Sequence, residues 1–221
     1  ARLDLDSSKA GYESIISDFQ EGLTDILIGT QMVSKGLDFD NVSVVGIIEA
    51  DSIMSYPDFR ATERAYQLMA QVAGRAGRKE SQGTVIIQTR QPDAPVLEMV
   101  RRYDYKGFHK TQLQERLAFN YPPYSRLTIV TVKGTEQSSV EKTATDLAAN
   151  LADMFGPDRV LGPDAPPVSK IQYRHIRRII IKAGLDMATW TVRERINEAV
   201  SKTASTDSIA GISFSFDPDP Q

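Results

Sequence analysis

Two short segments carry side chains suited to phosphate chemistry. The first is Gln71-Val-Ala-Gly-Arg-Ala-Gly-Arg78. At about 100° per residue, a helix brings Gln71, Arg75 and Arg78 within roughly 60° of one another, while the apolar stripe Ala65, Leu68, Met69 and Val72 points away. Guanidinium forks match phosphate oxygens, and a transferring phosphoryl group needs positive charge supplied from outside its own binding loop. Gly74 and Gly77 each lower helix propensity by roughly 1 kcal/mol, a cost that fits close approach by another backbone or a phosphate. The same residues also fit a solvated, arginine-rich helix end favoured by the macrodipole. The second segment, Ile28 to Phe39, leaves the end of a predicted strand, where open α/β sheets place their ligand sites. In it Thr30, Gln31, Ser34 and Lys35 offer donors to a phosphate backbone, Gly36 permits a tight turn, and Asp38 can order an arginine or a ribose hydroxyl. An ordinary strand-to-helix loop is the alternative. The spacing from Gly29 to Ser34-Lys35 imitates a P-loop, but the glycine before lysine and the hydroxyl residue after it are missing.

A third group lies near the C-terminus. On a strand from Lys170 to Lys182, the even positions Lys170, Gln172, Arg174, Arg178 and Lys182 share one face, opposite Ile171, Tyr173, His175, Ile179 and Ile181. Residues 159–182 hold six Lys/Arg against the single acid Asp164. Such a face suits DNA phosphates or an acidic partner; a solvated strand whose charges prevent edge aggregation is the alternative. Arg177 falls on the apolar parity, which calls for a bulge or a different register. Tyr103, Tyr105, Phe108 and His109 alternate with basic residues and either stack bases or pack a connecting helix. Core packing is expected for Trp190, and an interior position for His175.

The elements that must position these residues follow from periodicity and punctuation. Tyr12, Ile15, Ile16 and Phe19, with Gly22 after them, predict a helix closed by glycine. Residues 25–30, 42–48 and 84–89 are short apolar, β-branched runs, as in strands covered on both faces of a parallel sheet. The first hundred residues therefore read as part of a doubly wound α/β domain. Helix is expected from Pro95 to Phe119, until Asn120-Tyr-Pro-Pro-Tyr124 stops it, and the domain boundary is placed there: 1–118, then 119–221. The second domain reads as α+β, βαββαβ-like: strand 126–132, a helix striped by Val140, Ala144, Leu147, Leu151 and Met154, the strand 170–182, a helix with a capping box at Thr191 and Glu194, and strand 212–216.

Composition limits the functions open to these domains. The 221 residues contain no cysteine and two histidines, which excludes a disulfide scaffold, a thiolate zinc site and a cysteine nucleophile. No apolar run reaches the ~20 residues that a membrane span needs. Net charge is −3, split unevenly: residues 1–105 carry 11 Lys/Arg against 16 Asp/Glu, and residues 106–221 carry 15 against 13. With no initiator Met and a helix first, the chain is expected to be cut from a longer one.

Taken in order, Gly29-Thr-Gln-Met-x-x-Lys-Gly-x-Asp-Phe39, Asp58-Phe-Arg-Ala-x-Glu-Arg64 and Gln71-x-x-Gly-Arg-Ala-Gly-Arg78 resemble motifs V and VI of superfamily 2 helicases. The version seen here closely resembles the PriA, or primosomal protein N′, family of replication-restart helicases. It continues through Gly83 to Thr89, Tyr121-Pro-Pro-Tyr124 and Leu161-Gly-Pro163, nearly the whole chain. The resemblance implies that residues 1–118 are the later part of a second RecA-like motor lobe, facing ATP across a cleft. It makes Arg78 the arginine finger, Arg75 a second phosphate or carboxylate contact, and Gln71 a sensor near the attacking water. Gly36 and Asp38 would couple the nucleotide to DNA, with Thr30 and Gln31 near the DNA backbone. Lys35, as a donor, and Lys170, Arg174 and Arg178, from their shared strand face, are expected as further DNA contacts on the pattern of the residues alone. The resemblance further implies ATP and Mg²⁺ as ligands of the full protein, zinc in an upstream module, and cytoplasmic partners: forked and single-stranded DNA, the acidic tail of single-stranded-DNA-binding protein, and primosome proteins. A non-catalytic docking module and another superfamily 2 translocase are the alternatives. Because the P-loop lysine and the Mg²⁺-binding acidic box are absent, the chain alone is expected neither to hydrolyse ATP nor to unwind DNA. DNA-stimulated ATPase activity in a pure preparation of it would refute that expectation.

Overall fold

The computed structural model describes residues 9–29, 42–74, 83–206 and 210–220. The chain divides into two compact units, Ala1–Gln112 and Leu113–Gln221. In the first, helix α1 (Lys9–Gln20) is closed as its sequence predicts: Gly22 takes φ 74°, and the Leu23 N–H donates to the Asp18 carbonyl at 2.8 Å. That bond satisfies one of the carbonyls left open at a helix end. Strands β1 (Val44–Ile47) and β2 (Thr84–Ile87) pair in parallel, Val44 opposite Thr84 through Ile47 opposite Ile87. A parallel pair needs a crossover, and it contains α2 (Ala50–Met54) and α3 (Ala61–Ala73). Of residues 25–29, expected to begin a third strand, Ile28 forms a single β-bridge, and no extended strand develops among the described residues.

Helices α4 (Pro95–Arg101) and α5 (Tyr105–Ala118) follow. The single helix expected over 95–119 is broken because Tyr103 adopts φ 53° and Asp104 starts a new helix, its Oδ1 accepting the Gly107 N–H at 2.8 Å. In the core, the Tyr66 ring of α3 lies stacked on Phe108 of α5, with centroids 4.1 Å apart and planes 9° from parallel. Ala50, Ala65, Met69, Val96 and Val100 close around them. The buried stripe of α3 is therefore Ala61, Ala65, Tyr66 and Met69, displaced from the expected 65/68/69/72 stripe towards the aromatic pair. Phe108 is a packing residue, whereas Tyr103 and Tyr105 are exposed.

The second unit is built from β3 (Ser125–Gly134), α6 (Gln137–Phe155), β4 (Val160–Asp164), β5 (Lys170–Ile171), β6 (Arg174–Gly184), α7 (Thr189–Thr206) and β7 (Ser213–Pro218). Its sheet runs β4-β6-β3-β7 with antiparallel neighbours, and β5 hairpins onto β6. Apart from that hairpin this is the expected βαββαβ arrangement. Val140, Ala144, Leu147 and Leu151 of α6 are sealed against Val130 and Val132 of β3, Ile179 and Ile181 of β6, and Val192, Ile196 and Ala199 of α7. At Gly162, φ is 98° and an added Cβ would lie 2.7 Å from the Arg178 carbonyl oxygen, so β4 can approach β6 there only through glycine.

Two expectations about helix ends are corrected. The prolines do not end α5: Asn120 does, at φ 51°, with the Tyr121 N–H donating to the Arg116 carbonyl at 2.7 Å before Pro122 is reached. Helix α7 starts ahead of the Thr191/Glu194 pair, since the Val192 N–H already donates to the Ala188 carbonyl at 3.1 Å. Trp190, expected in the core, consequently stands in the first turn at 66% exposure. Leu147 has no exposed surface, so Leu147→Ala should destabilise the second unit by about 2–5 kcal/mol, read as a loss of native-state hydrogen-exchange protection at β3 and β6 amides.

Candidate nucleic-acid interface

The C-terminal ends of β1 and β2 lie side by side, the edge from which a parallel sheet offers its loops to ligands. Asp51, in the first turn of α2, stitches the two loops together. Its Oδ1 accepts the Thr89 hydroxyl at 2.9 Å and its Oδ2 accepts the Arg90 N–H at 2.8 Å, while the Ala50 N–H donates to the Gln88 carbonyl at 3.1 Å. The Arg90 amide, and after it the Thr89 hydroxyl, hold the Asp51 carboxyl below the usual aspartate range. Just before it, Glu49 takes the left-handed conformation, φ 58° and ψ 51°. Such backbone persists only where neighbouring bonds fix it. No sequence signal singled out Asp51 or Glu49.

Helix α3 is entered through the acidic motif. Asp58 Oδ1 accepts the Arg60 N–H at 2.8 Å and its Oδ2 pairs with Arg64 Nη1 at 3.0 Å. The Arg60 guanidinium lies 4.6 Å from the Phe59 ring centroid. These residues of Asp58-Phe-Arg-Ala-Thr-Glu-Arg64 therefore build the helix start. At the other end α3 closes with Gly74, and Gln71 is exposed on its last turn. Arg75 and Arg78 lie outside the described residues, as do Thr30, Gln31, Ser34, Lys35, Gly36 and Asp38. Of the motor constellation, the structure positions Gln71 alone.

In the second unit, ten facing pairs from Ser125/Gly184 to Gly134/His175 lock β6 to β3. Facing residues share a side of the sheet, so Arg177, opposite Val132, points to the helix side with Ile179, whereas Arg178, opposite Thr131, points away. No bulge interrupts this register. Arg177 is accommodated on the apolar side because it bonds Glu141 of α6 and donates to the Ile176 carbonyl at 2.9 Å. Gln137 and Arg177 together hold the Glu141 carboxyl below its ordinary range.

The strand expected over 170–182 reverses instead at Gln172 and Tyr173, whose φ values of 48° and 64° are those of a two-residue type I′ hairpin. Lys170 faces His175, and Ile171 faces Arg174. Lys170 therefore shares a side with His175 and not with Arg174 and Arg178. Lys182 also leaves the expected basic face: it is buried, with Nζ donating to the Phe119 carbonyl at 2.7 Å and lying 3.7 Å from the Tyr121 ring centroid. That burial pushes its pKa below the usual lysine value. Other cations are likewise held: Arg126 by the Met187 carbonyl at 2.8 Å and Arg195 by the Met154 carbonyl at 2.9 Å. Lys170, Arg174 and Arg178 are exposed, and among the described residues none of the three side chains makes an internal hydrogen bond or ion pair.

Comparison with known proteins joins the two units. Residues 118–221 match the family model of the primosomal protein N C-terminal domain, and residues 1–80 match the helicase conserved C-terminal domain. Three proteins, each named replication restart protein PriA, align with most of the chain. The one from Bacillus subtilis is 42% identical over 82% of this chain and 23% of its own length. The Synechocystis sp. protein is 39% identical over 82% and 22%, and that of Haemophilus influenzae 39% over 79% and 24%.

The chain belongs to the PriA family. It spans about a quarter of the length of these PriA relatives. The parallel pair with its helices is part of a RecA-like lobe, and the antiparallel unit is the PriA C-terminal domain. Among the described residues no helix is long and apolar enough to cross a membrane, and no cluster of three His, Asp or Glu stands ready to hold a metal ion.

The Asp51 stitch gives a pH-dependent prediction. A carboxyl with a depressed folded-state pKa contributes stability above its unfolded value, and loses it as the pH falls through the folded value. Asp51→Asn should therefore melt below wild type at neutral pH, and the difference should narrow under acid once Asp51 itself is protonated. A constant difference across the titration would contradict the stitch.

Proposed function

We propose that this chain is the later part of an ATP-dependent 3′-to-5′ DNA helicase that binds stalled replication forks and initiates primosome assembly for replication restart. The observation that carries the reading is the presence, in one chain, of a helicase C-terminal match and a primosomal C-terminal match, with relatives named for replication restart. In this reading ATP, with Mg²⁺, supplies the phosphoryl transfer that drives lobe opening and closing. Arg78 approaches the γ-phosphate as the arginine finger, Arg75 gives a second contact, and Gln71 senses the attacking water from the last turn of α3. Gly36 and Asp38 relay the nucleotide state to Thr30, Gln31 and Lys35 at the DNA backbone. The relatives' greater length leaves room for the P-loop, the acidic box and a zinc module upstream. The working compartment is the cytoplasm, and the partners are forked and single-stranded DNA, primosome proteins and the acidic tail of single-stranded-DNA-binding protein.

A second reading, docking without catalysis, is favoured for the C-terminal unit by its own closed core and its three uncommitted cations. Lys170, Arg174 and Arg178 have no internal acceptor among the described residues, so they can neutralise phosphates at no cost in broken bonds. In the full-length protein, Arg78→Ala should abolish DNA-stimulated ATPase and leave fork binding intact. Arg174→Gln with Arg178→Gln should weaken fork binding and reduce the slope of log affinity against log salt by about 1–2, at roughly 0.7–0.9 per lost phosphate contact. Unchanged ATPase in the first variant contradicts the motor role; an unchanged salt slope in the second contradicts the DNA contacts.

A further inference from the structure

The β5–β6 hairpin extends beyond the sheet that carries it. Pairing between β3 and β6 ends at Gly134/His175, so Lys170 to Arg174 have only each other and His175 as ladder partners. At its tip Tyr173 is 84% exposed, next to half-exposed Ile171 and in the left-handed conformation usually given to asparagine or glycine. A large aromatic ring held in water on a strained turn contributes nothing to the core of this unit. Its surroundings are one-sided in charge: residues 165–185 hold five Lys/Arg and no Asp or Glu. Three of those five, Lys170, Arg174 and Arg178, are the uncommitted cations described above.

We propose that Tyr173 is a base-stacking residue, the hairpin tip receiving an unpaired base of single-stranded DNA while Lys170 and Arg174 hold the phosphates on either side. Aromatic faces accept any base, and flanking cations follow the backbone, which is the combination used by sequence-tolerant single-strand binders. A duplex, with its bases stacked inside, offers this ring nothing comparable. The inference rests on the DNA-binding reading of the C-terminal unit and adds a preference for unpaired strand that phosphate contacts alone do not give.

The test uses the 221-residue chain with oligothymidylate and a duplex of equal length, followed by fluorescence anisotropy. Tyr173→Gly suits the left-handed turn, so it should fold at least as stably as wild type. It should nevertheless lose about tenfold in affinity for oligothymidylate, with duplex affinity and the salt slope unchanged. Tyr173→Trp should restore single-strand binding. In wild type, a strand carrying one 5-iododeoxyuridine should photo-cross-link to Tyr173. Equal single-strand affinity in the glycine variant, or a parallel loss on single strand and duplex, overturns the stacking role while leaving the phosphate contacts standing. Failure of the wild-type chain to bind either DNA overturns both readings.

Discussion

The ten-pair register between β3 and β6 decides what every charged side chain on the C-terminal sheet can do. With a period of two, one step along β6 changes the side of the sheet. Arg177 is sent to the helix side, where a buried guanidinium would be costly without an acceptor, and Glu141 supplies it. Arg178, one residue on, is sent to the open side, where it keeps its hydration and remains available. Lys182, further along that open side, meets the chain segment leaving α5 and is committed to the Phe119 carbonyl and the Tyr121 ring. A stretch that reads as uniformly basic is thus divided into cations that hold the fold and cations that do not.

The RecA-like part follows a different logic. Its two described parallel strands are short, and the edge from which a parallel sheet offers ligand sites is made of loops, which a parallel pair cannot order by itself. Asp51 compensates by bridging the loop after β1 to the loop after β2, and the left-handed Glu49 is the local strain that the bridge sustains. Asp58 performs a similar task at the start of α3, fixing the direction in which that helix carries Gln71. In this unit Asp51 and Asp58 position backbone; in the C-terminal unit backbone carbonyls and the carboxylates of Glu141 and Asp153 hold cations.

What was legible in the sequence was whatever periodicity governs. The stripe Val140, Ala144, Leu147 and Leu151 identified α6, the β-branched runs identified β1 and β2, and alternation of strands and helices gave both architectures. The family was legible because two motifs recur in a fixed order. Features set by single residues in unusual conformations were not legible. Gln172 and Tyr173 carry no glycine or asparagine to announce a type I′ turn, so a hairpin read as one long strand and placed Lys170 on the wrong side. Tyr103 likewise hid the break between α4 and α5. Core packing is the expectation for Trp190, but the early start of α7 turns it outward. Arg177 was flagged by its parity, and only Glu141, 36 residues away in sequence, explains why it needs no bulge.

The division of cations into held and uncommitted is open to direct measurement by arginine modification with phenylglyoxal, mapped by mass spectrometry with and without single-stranded DNA. Rapid reaction at Arg174 and Arg178, slow reaction at Arg126, Arg177 and Arg195, and protection of the first two by DNA is the expected pattern. Equal reactivity across all five, or rapid modification of Arg174 and Arg178 that DNA leaves unchanged, would contradict it.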